Sequence, residues 1–383
     1  MEQGKASLTV GVRTALIAMS GGVDSSVAAA LTLRAGFACT GCTMRLYEND
    51  LIGQDLLGTC CSLRDTEDAR RVAESLGIPH RVFHYENEFL QKVVAPFAES
   101  YEQGFTPNPC INCNRYLKFD ALYRRAEELG CRYLVTGHYA RIEAQNGRWR
   151  LRKAADEGKD QSYVLFRLTE EQLSRTLFPL GAYAKPEIRR LAEELDFVNA
   201  GKKESQDICF VPDGDYAGML ERYRGRPYPS GPFVDTEGRV LGRHRGIVRY
   251  TVGQRQGLGL ADPAGRRLYV RSLDAEKNTV IVAEDRELYG RRVLLSDLHW
   301  IAGEPPARSF RCLVKLRYRH REQPASVTLP DNDSAAVLFD QPQRAAARGQ
   351  AAVFYDGDVV LGGGTIVSAE TDGPRFHWPT DMG

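Results

Sequence analysis

Residues 14–26 read TALIAMSGGVDSS, and this stretch decides the fold. The apolar run 14–19 predicts a β-strand that ends at a Ser-Gly-Gly turn. From Ser25 the sequence SSVAAALTLRAG has helix-forming composition and stops at Gly36. A strand that feeds a glycine turn and then opens a helix is suited to hold an anion. Glycines let the backbone come close, and serine hydroxyls and helix-start amides point at the bound group. The stretch lacks the Gly-Lys-Ser/Thr ending of the common phosphate loop, so it supplies no lysine for a γ-phosphate. The competing reading is a plain Ser/Gly turn in which Asp24 or Ser25 merely caps the helix.

Outward from this loop, strand and helix alternate. FACTGCTMRL (37–46) predicts a second strand, DTEDARRVAESLGI (65–78) a helix closed by Gly77, and HRVFHY (80–85) a third strand. Helix 88–104, a Pro/Asn loop TPNPC (106–110), helix 115–130 and strand 132–139 follow. Such alternation implies an α/β fold, a parallel sheet with helices on both faces. This nucleotide-binding unit is expected over 1–208. The texture then changes. Residues 209–285 are rich in Gly, Pro and Arg with short β-like pieces, and are expected to form a small mixed or β central domain. Residues 286–383 carry short alternating segments such as ASVTLP (325–330) and AAVLFD (335–340), which predict a C-terminal antiparallel β-barrel. Tyr355-Asp356-Gly357-Asp358 is a hairpin turn signal, and the tail 371–383 is expected to be loosely held.

The chain has 383 residues, a net charge of +1, 43% hydrophobic and 26% charged residues, which excludes a disordered tail and a small stapled scaffold. No run approaches the roughly 20 apolar residues of a membrane span, and the start has no secretory pattern, so a cytoplasmic protein is expected. Charge is uneven. Four arginines and no acid lie between Gly242 and Ala261, and five Lys/Arg and no acid between Arg311 and Arg321. Such patches suit a partner whose phosphates are touched at chosen places; each is also readable as a solvated face.

Nine cysteines in a cytoplasmic chain point to catalysis or metal binding rather than disulfide scaffolding. Cys110 and Cys113 stand at a loop-to-helix start, where both can face one cleft and where a helix N-terminus raises thiolate content. Cys209 lies near the end of the first unit and can complete a redox pair or a metal site. Cys39 and Cys42 share the same spacing as Cys110 and Cys113, but on a strand they point to opposite faces. Cys60 and Cys61 are expected in a loop near the mouth of the site, and Cys131 and Cys312 in the core.

The loop SGGVDSS resembles that of the PP-loop ATP pyrophosphatases, whose members activate a substrate as an adenylate and release pyrophosphate. TPNPCINCN, GHYAR, KDQSYVL, SQDICF, YTVGQRQGLG and GQAAVFYDGDVVLGGG, in this order, resemble the tRNA 2-thiouridylase branch of that superfamily. The resemblance runs over nearly the whole chain. It implies ATP-dependent 2-thiolation of the wobble uridine (position 34) of tRNA, in which ATP adenylates the C2 oxygen and a cysteine persulfide supplies sulfur. It implies ATP contacts at Ala18, Met19, Ser20, Gly21, Gly22, Val23, Asp24, Ser25, Met44 and Gly137. It makes Cys113 the nucleophile and Cys209 the persulfide carrier. Asn108, Pro109 and Cys110 would line the target base, and Lys159, Asp160, Gln161, Arg317 and Tyr318 would touch tRNA. The implied partners are Mg²⁺ with ATP, tRNAs for Lys, Glu and Gln, and a cysteine desulfurase or sulfur-relay protein, with no membrane. Many members of the branch carry an acid where this chain has Cys110. That departure opens a second chemistry, an iron–sulfur cluster on Cys110, Cys113 and Cys209. Two other functions stay open: a PP-loop ligase that attaches an amine, and a non-catalytic cysteine-rich RNA-binding or sulfur-relay protein.

Overall fold

The computed structural model describes residues 12–47, 63–202, 208–260 and 265–370. The expectations for Cys60, Cys61 and the tail 371–383 lie outside the described residues.

The first unit is built on a five-stranded parallel sheet of order β3-β2-β1-β4-β7, with β1 (Thr14–Ala18), β2 (Ala38–Arg45), β3 (His80–His84), β4 (Tyr133–Val135) and β7 (Thr176–Leu177). β1 is central and buried on both faces, which is why its sequence is continuously apolar rather than alternating. Ala15 and Ile17 point into one layer, with helices α1 (Val23–Arg34), α2 (Leu63–Ser75) and, later in the chain, α6 (Lys185–Glu194). Leu16 points into the other, against α3 (86–102) and α4 (109–128). These two helical runs are α-helical at their ends with π segments inside, Leu90–Val94 within 86–102 and Cys113–Ala121 within 109–128. Cys39 and Cys42 fall in these opposite layers, as their spacing on a strand requires. The strand order reverses between β1 and β4, so a crevice opens at the carboxyl ends of those two strands.

Between β4 and β7 the chain makes a hairpin, β5 (Arg141–Gln145) and β6 (Arg148–Arg152), and a short helix α5 (Glu170–Ser174). The middle of the chain adds helix α7 (Tyr216–Arg224) and a mixed sheet of order β10-β11-β8-β9, from β8 (Gly231–Val234), β9 (Val240–His244), β10 (Leu268–Asp274) and β11 (Thr279–Glu284). The last part is an antiparallel barrel of β12 (Tyr289–Trp300), β13 (Ser309–Lys315), β14 (Gln323–Thr328), β15 (Ala335–Arg344), β16 (Ala351–Asp356) and β17 (Val359–Glu370), closed by pairing of β12 with β17. Closure leaves its own strands no open edge. Its interior is Val, Leu, Ala and Phe, with Trp300 stacked on Phe354 at 5.4 Å.

The hairpin β5–β6 reaches this barrel: Arg152 registers with Val359, and Asp358 accepts from Arg141 and Arg152. The parallel sheet, mixed sheet and barrel match the fold class expected from the sequence. No helix among the described residues is long and apolar enough to cross a membrane.

Candidate active site

The loop after β1 sits in the crevice between β1 and β4. Gly21 has φ +74°, and a Cβ there would lie 2.1 Å from the carbonyl oxygen of Asp65, so only glycine fits. Gly22 is the N-cap of α1 and contributes no side-chain cap, which leaves first-turn amides available to an anion. Neither side chain of the capping alternative performs that role. The hydroxyls of Ser25 and Ser26 both donate to the Gly22 carbonyl at 3.0 Å, and Ser25 Oγ accepts from the Ser20 amide at 3.1 Å. The Asp24 carboxylate turns outward from the helix, accepting from the Tyr139 hydroxyl at 2.7 Å and from Lys185 Nζ at 2.6 Å. Ala18 and Met19 lead into the loop, Met19 buried and its amide donating to the Cys42 carbonyl at 2.7 Å. Val23 is buried at the start of α1, and Met44 is buried at the end of β2.

Gly137, in the turn after β4, would place a Cβ 2.9 Å from the Ser25 amide nitrogen. Its missing side chain admits the start of α1 itself. The neighbouring His138 tempts as a general base, but it is buried between Phe119 and Phe178, with its Nδ1 2.7 Å from Thr136 Oγ1. Burial, with Lys118 adding to it, holds its pKa well below the ordinary value, so it stays neutral.

Two lysines serve the loop from far away in sequence. Lys185, at the start of α6 and almost buried, holds Asp24. Lys202 donates to the Gly21 carbonyl at 3.1 Å, to Asp68 at 2.9 Å and to Asp65. Burial works against the charge of Lys202, and its two carboxylate partners more than offset that, leaving its pKa raised. Asn199 Nδ2 also donates to the Gly21 carbonyl and to Ser26 Oγ, both at 2.9 Å. Sequence reading missed Tyr139, Lys185, Asn199 and Lys202. The one local signal was Lys185-Pro186 as a helix start.

The cysteines are thiols in all seven described positions. Asn108 caps the turn Pro109–Asn112, its side chain accepting from the Cys110 amide at 3.1 Å. Pro109 is buried and Cys110 exposed, whereas Cys113 is buried at the point where the helix changes to π geometry. Such π segments are frequent at functional sites. The carbonyl of Cys209 accepts from Tyr47 Oη at 3.0 Å, just beyond the carboxyl end of β2, the same sheet edge that carries the nucleotide loop. Cys113 belongs to the apolar cluster against which Cys209 packs, with Met44, Tyr47 and Phe210. No group of three or more His, Cys, Asp or Glu among the described residues is arranged to hold a single metal ion. Burial raises the buried Cys39 thiol to about 11, with Cys131 adding to the effect, which makes Cys39 inert.

The residues expected to meet RNA are spread differently from one another. Lys159 is half-buried. Asp160 is buried, its oxygens taken by the amides of Ala154 and Ser162 and by Ser162 Oγ. Gln161 is bonded to both polar backbone atoms of Tyr139. Arg317 donates to the carbonyls of Val252 and Ala345, and burial, with Arg344 beside it, lowers its pKa. Tyr318 is exposed. In the basic stretch, Arg249 is ion-paired with Glu221 at 2.9 Å, while Arg243 remains exposed and bonded to Ser230. Arg255, Arg266 and Arg267 line a cavity of about 250 Å³ with Gly257, Leu258, Gly259, Leu260 and Leu268, with no acid among the described lining residues.

Three family descriptions match the chain in series: "tRNA methyl transferase HUP domain" over residues 13–213, "tRNA methyl transferase PRC-barrel domain" over 218–284, and "Aminomethyltransferase beta-barrel domain" over 291–366. A tRNA-specific 2-thiouridylase of Clostridium acetobutylicum is 45% identical over 92% of this chain and 98% of its own. Those of Symbiobacterium thermophilum and Heliobacterium modesticaldum are each 49% identical over 92% of this chain and 92% of theirs.

The chain belongs to the tRNA-specific 2-thiouridylase family.

It is thus an enzyme of that family. The thiouridylase relatives are matched over almost their whole length, so the loop, the cysteines and both later domains fall within the shared region.

Proposed function

We propose that the protein uses ATP to replace the C2 oxygen of a tRNA wobble uridine with sulfur. The observation that carries this reading is the uncapped, glycine-turned start of α1 in the β1/β4 crevice, with Cys209 anchored over the same sheet edge. The uncapped amides and the nearby Lys185 and Lys202 suit the polyphosphate of ATP. The family names quoted for the matched regions speak of methyl transfer, but a methyltransferase reading leaves this loop and the two cysteines without a task.

The chemistry follows from what each group can do. The C2 carbonyl of uracil is a poor electrophile. Its oxygen attacks the α-phosphorus of ATP, pyrophosphate leaves, and the oxygen becomes part of a good leaving group. Cys209 carries an outer sulfur as a persulfide, delivered by a desulfurase or relay protein. The Cys113 thiolate attacks the inner sulfur, forms a Cys113–Cys209 disulfide and frees hydrosulfide. Hydrosulfide adds at C2, and AMP departs with the original oxygen. An external thiol then reduces the disulfide. Mg²⁺ accompanies the nucleotide.

The test is thiolation of unmodified tRNA, read as 2-thiouridine by mass spectrometry. Cys209→Ser and Cys113→Ala should each lose the product while keeping ATP and tRNA binding. Measurable turnover by Cys209→Ser would remove Cys209 from the persulfide role. Cys110→Asp should retain activity, because thiol chemistry requires only the other two cysteines; its loss would favour an iron–sulfur cluster.

A further inference from the structure

The turn that carries Cys209 is pinned from more than one side. The Val211 amide donates to the Ile208 carbonyl at 2.9 Å, so Cys209 and Phe210 are the central residues of a hydrogen-bonded turn. The Cys209 carbonyl itself accepts from Tyr47 Oη at 3.0 Å. Cys209 keeps partial exposure, whereas Phe210 beside it is buried at 2%. The Phe210 ring meets that of Phe89 at 5.4 Å and that of Phe97 at 5.3 Å, at interplanar angles of 82° and 83°. Both are edge-to-face contacts, an arrangement that aromatic quadrupoles favour. Tyr47 belongs to the same cage, its ring 5.8 Å from that of Phe89.

Phe89 and Phe97 both lie on α3, on either side of its π segment Leu90–Val94. The same helix packs against α4, whose own π segment begins at Cys113. The two cysteines are therefore mounted on one helix, Cys113 through the neighbouring helix and Cys209 through the Phe210 ring. Thiol exchange is sensitive to such a mount. The attacking sulfur must line up with the bond it breaks, and a misplacement of about 1 Å costs on the order of 100-fold. Surface turns are more mobile than the elements they join. A buried ring and a hydroxyl hold this one.

We propose that Tyr47 and Phe210 are positioning residues for Cys209. With Phe89 and Phe97 they fix the turn 208–211 on α3, so that the Cys209 sulfur is presented to Cys113. The inference rests on the thiol chemistry proposed above and adds the parts that hold its two sulfurs together.

The experiment puts glutathione in the place of the outer sulfur, in full-length protein carrying Cys110→Ser and without ATP or tRNA. Glutathione disulfide exchanges with the Cys209 thiol, which forms a Cys209–glutathione bond and releases one reduced glutathione. The Cys113 thiolate then attacks the Cys209 sulfur, forms the Cys113–Cys209 disulfide and releases a second. Two protein thiols are oxidised, one glutathione disulfide is reduced, and the thiol protons pass to the departing glutathione thiolates. Titration against the ratio of oxidised to reduced glutathione gives the equilibrium constant for closing the bond. Mass spectrometry of the digested protein reads that bond as a linked pair of peptides. Tyr47→Phe should lower the constant at least about threefold, and Phe210→Ala at least about tenfold. A structural role alone would lower the melting temperature and leave the constant unmoved. Tyr47→Phe removes one hydroxyl and leaves the cage filled, so it tests the inference even if Phe210→Ala fails to fold. A constant in Tyr47→Phe equal to that of its parent would overturn the inference. A parent protein that forms no Cys113–Cys209 bond would instead contradict the thiol step of the proposed function.

Discussion

A single methyl group at Gly21 would have to displace the Asp65 carbonyl and adopt a left-handed backbone. We expect Gly21→Ala to cost about 1–3 kcal/mol of stability and to abolish ATP binding, measured by denaturant titration and calorimetry. Wild-type affinity in this variant would mean that the loop does not hold the nucleotide. The residues of this loop were readable because their chemistry is local: glycine, serine and a helix start adjoin in sequence. Lys185 was not readable, because it reaches Asp24 across 161 residues of chain. Asp160, named only through the family resemblance, has a structural task that its sequence neighbours do not announce: its carboxylate satisfies two backbone amides and a hydroxyl inside the protein.

At the scale of elements, the alternation of strand and helix from 14 to 139 was legible because Gly36, Gly77 and Gly130 each stop a helix, all with positive φ. The hairpin β5–β6 went unread, although Asn146-Gly147 at φ +52° and +76° carries the two-residue turn signal. Its edge position on the barrel could not be inferred from that turn. The π segment from Cys113 was also hidden, since it follows from packing and not from composition.

The turn after β4 has a pH consequence. His138 is buried neutral, so its folded pKa lies below the unfolded value of about 6.5. The unfolded chain then binds the extra proton first, and stability is present above about pH 6.5 and falls as pH drops below it. We expect His138→Gln to remove about 1 kcal/mol per pH unit from the slope of stability between about pH 6 and 5. An unchanged slope in urea titrations would show that His138 takes up a proton without unfolding.

Across the whole molecule, near-neutral net charge conceals a middle domain with three arginines among the described residues around one cavity. Phosphate contacts set affinity, and each one released by salt adds to the slope of binding against ionic strength. Arg255→Ala with Arg267→Ala should therefore reduce the magnitude of that slope for tRNA by about 2. Arg249, committed to Glu221, should contribute less than either. A slope equal to wild type would take this face out of the RNA interface. The central claim is ATP-dependent sulfur transfer to tRNA, and one assay addresses it most directly. Metal-chelated full-length protein is incubated with unmodified tRNA, Mg-ATP added afterwards, a persulfide donor and a thiol reductant, and the digested tRNA is analysed by mass spectrometry. The account predicts 2-thiouridine at position 34, with AMP and pyrophosphate in equal amounts. Bound tRNA that stays unthiolated while ATP remains intact would contradict it.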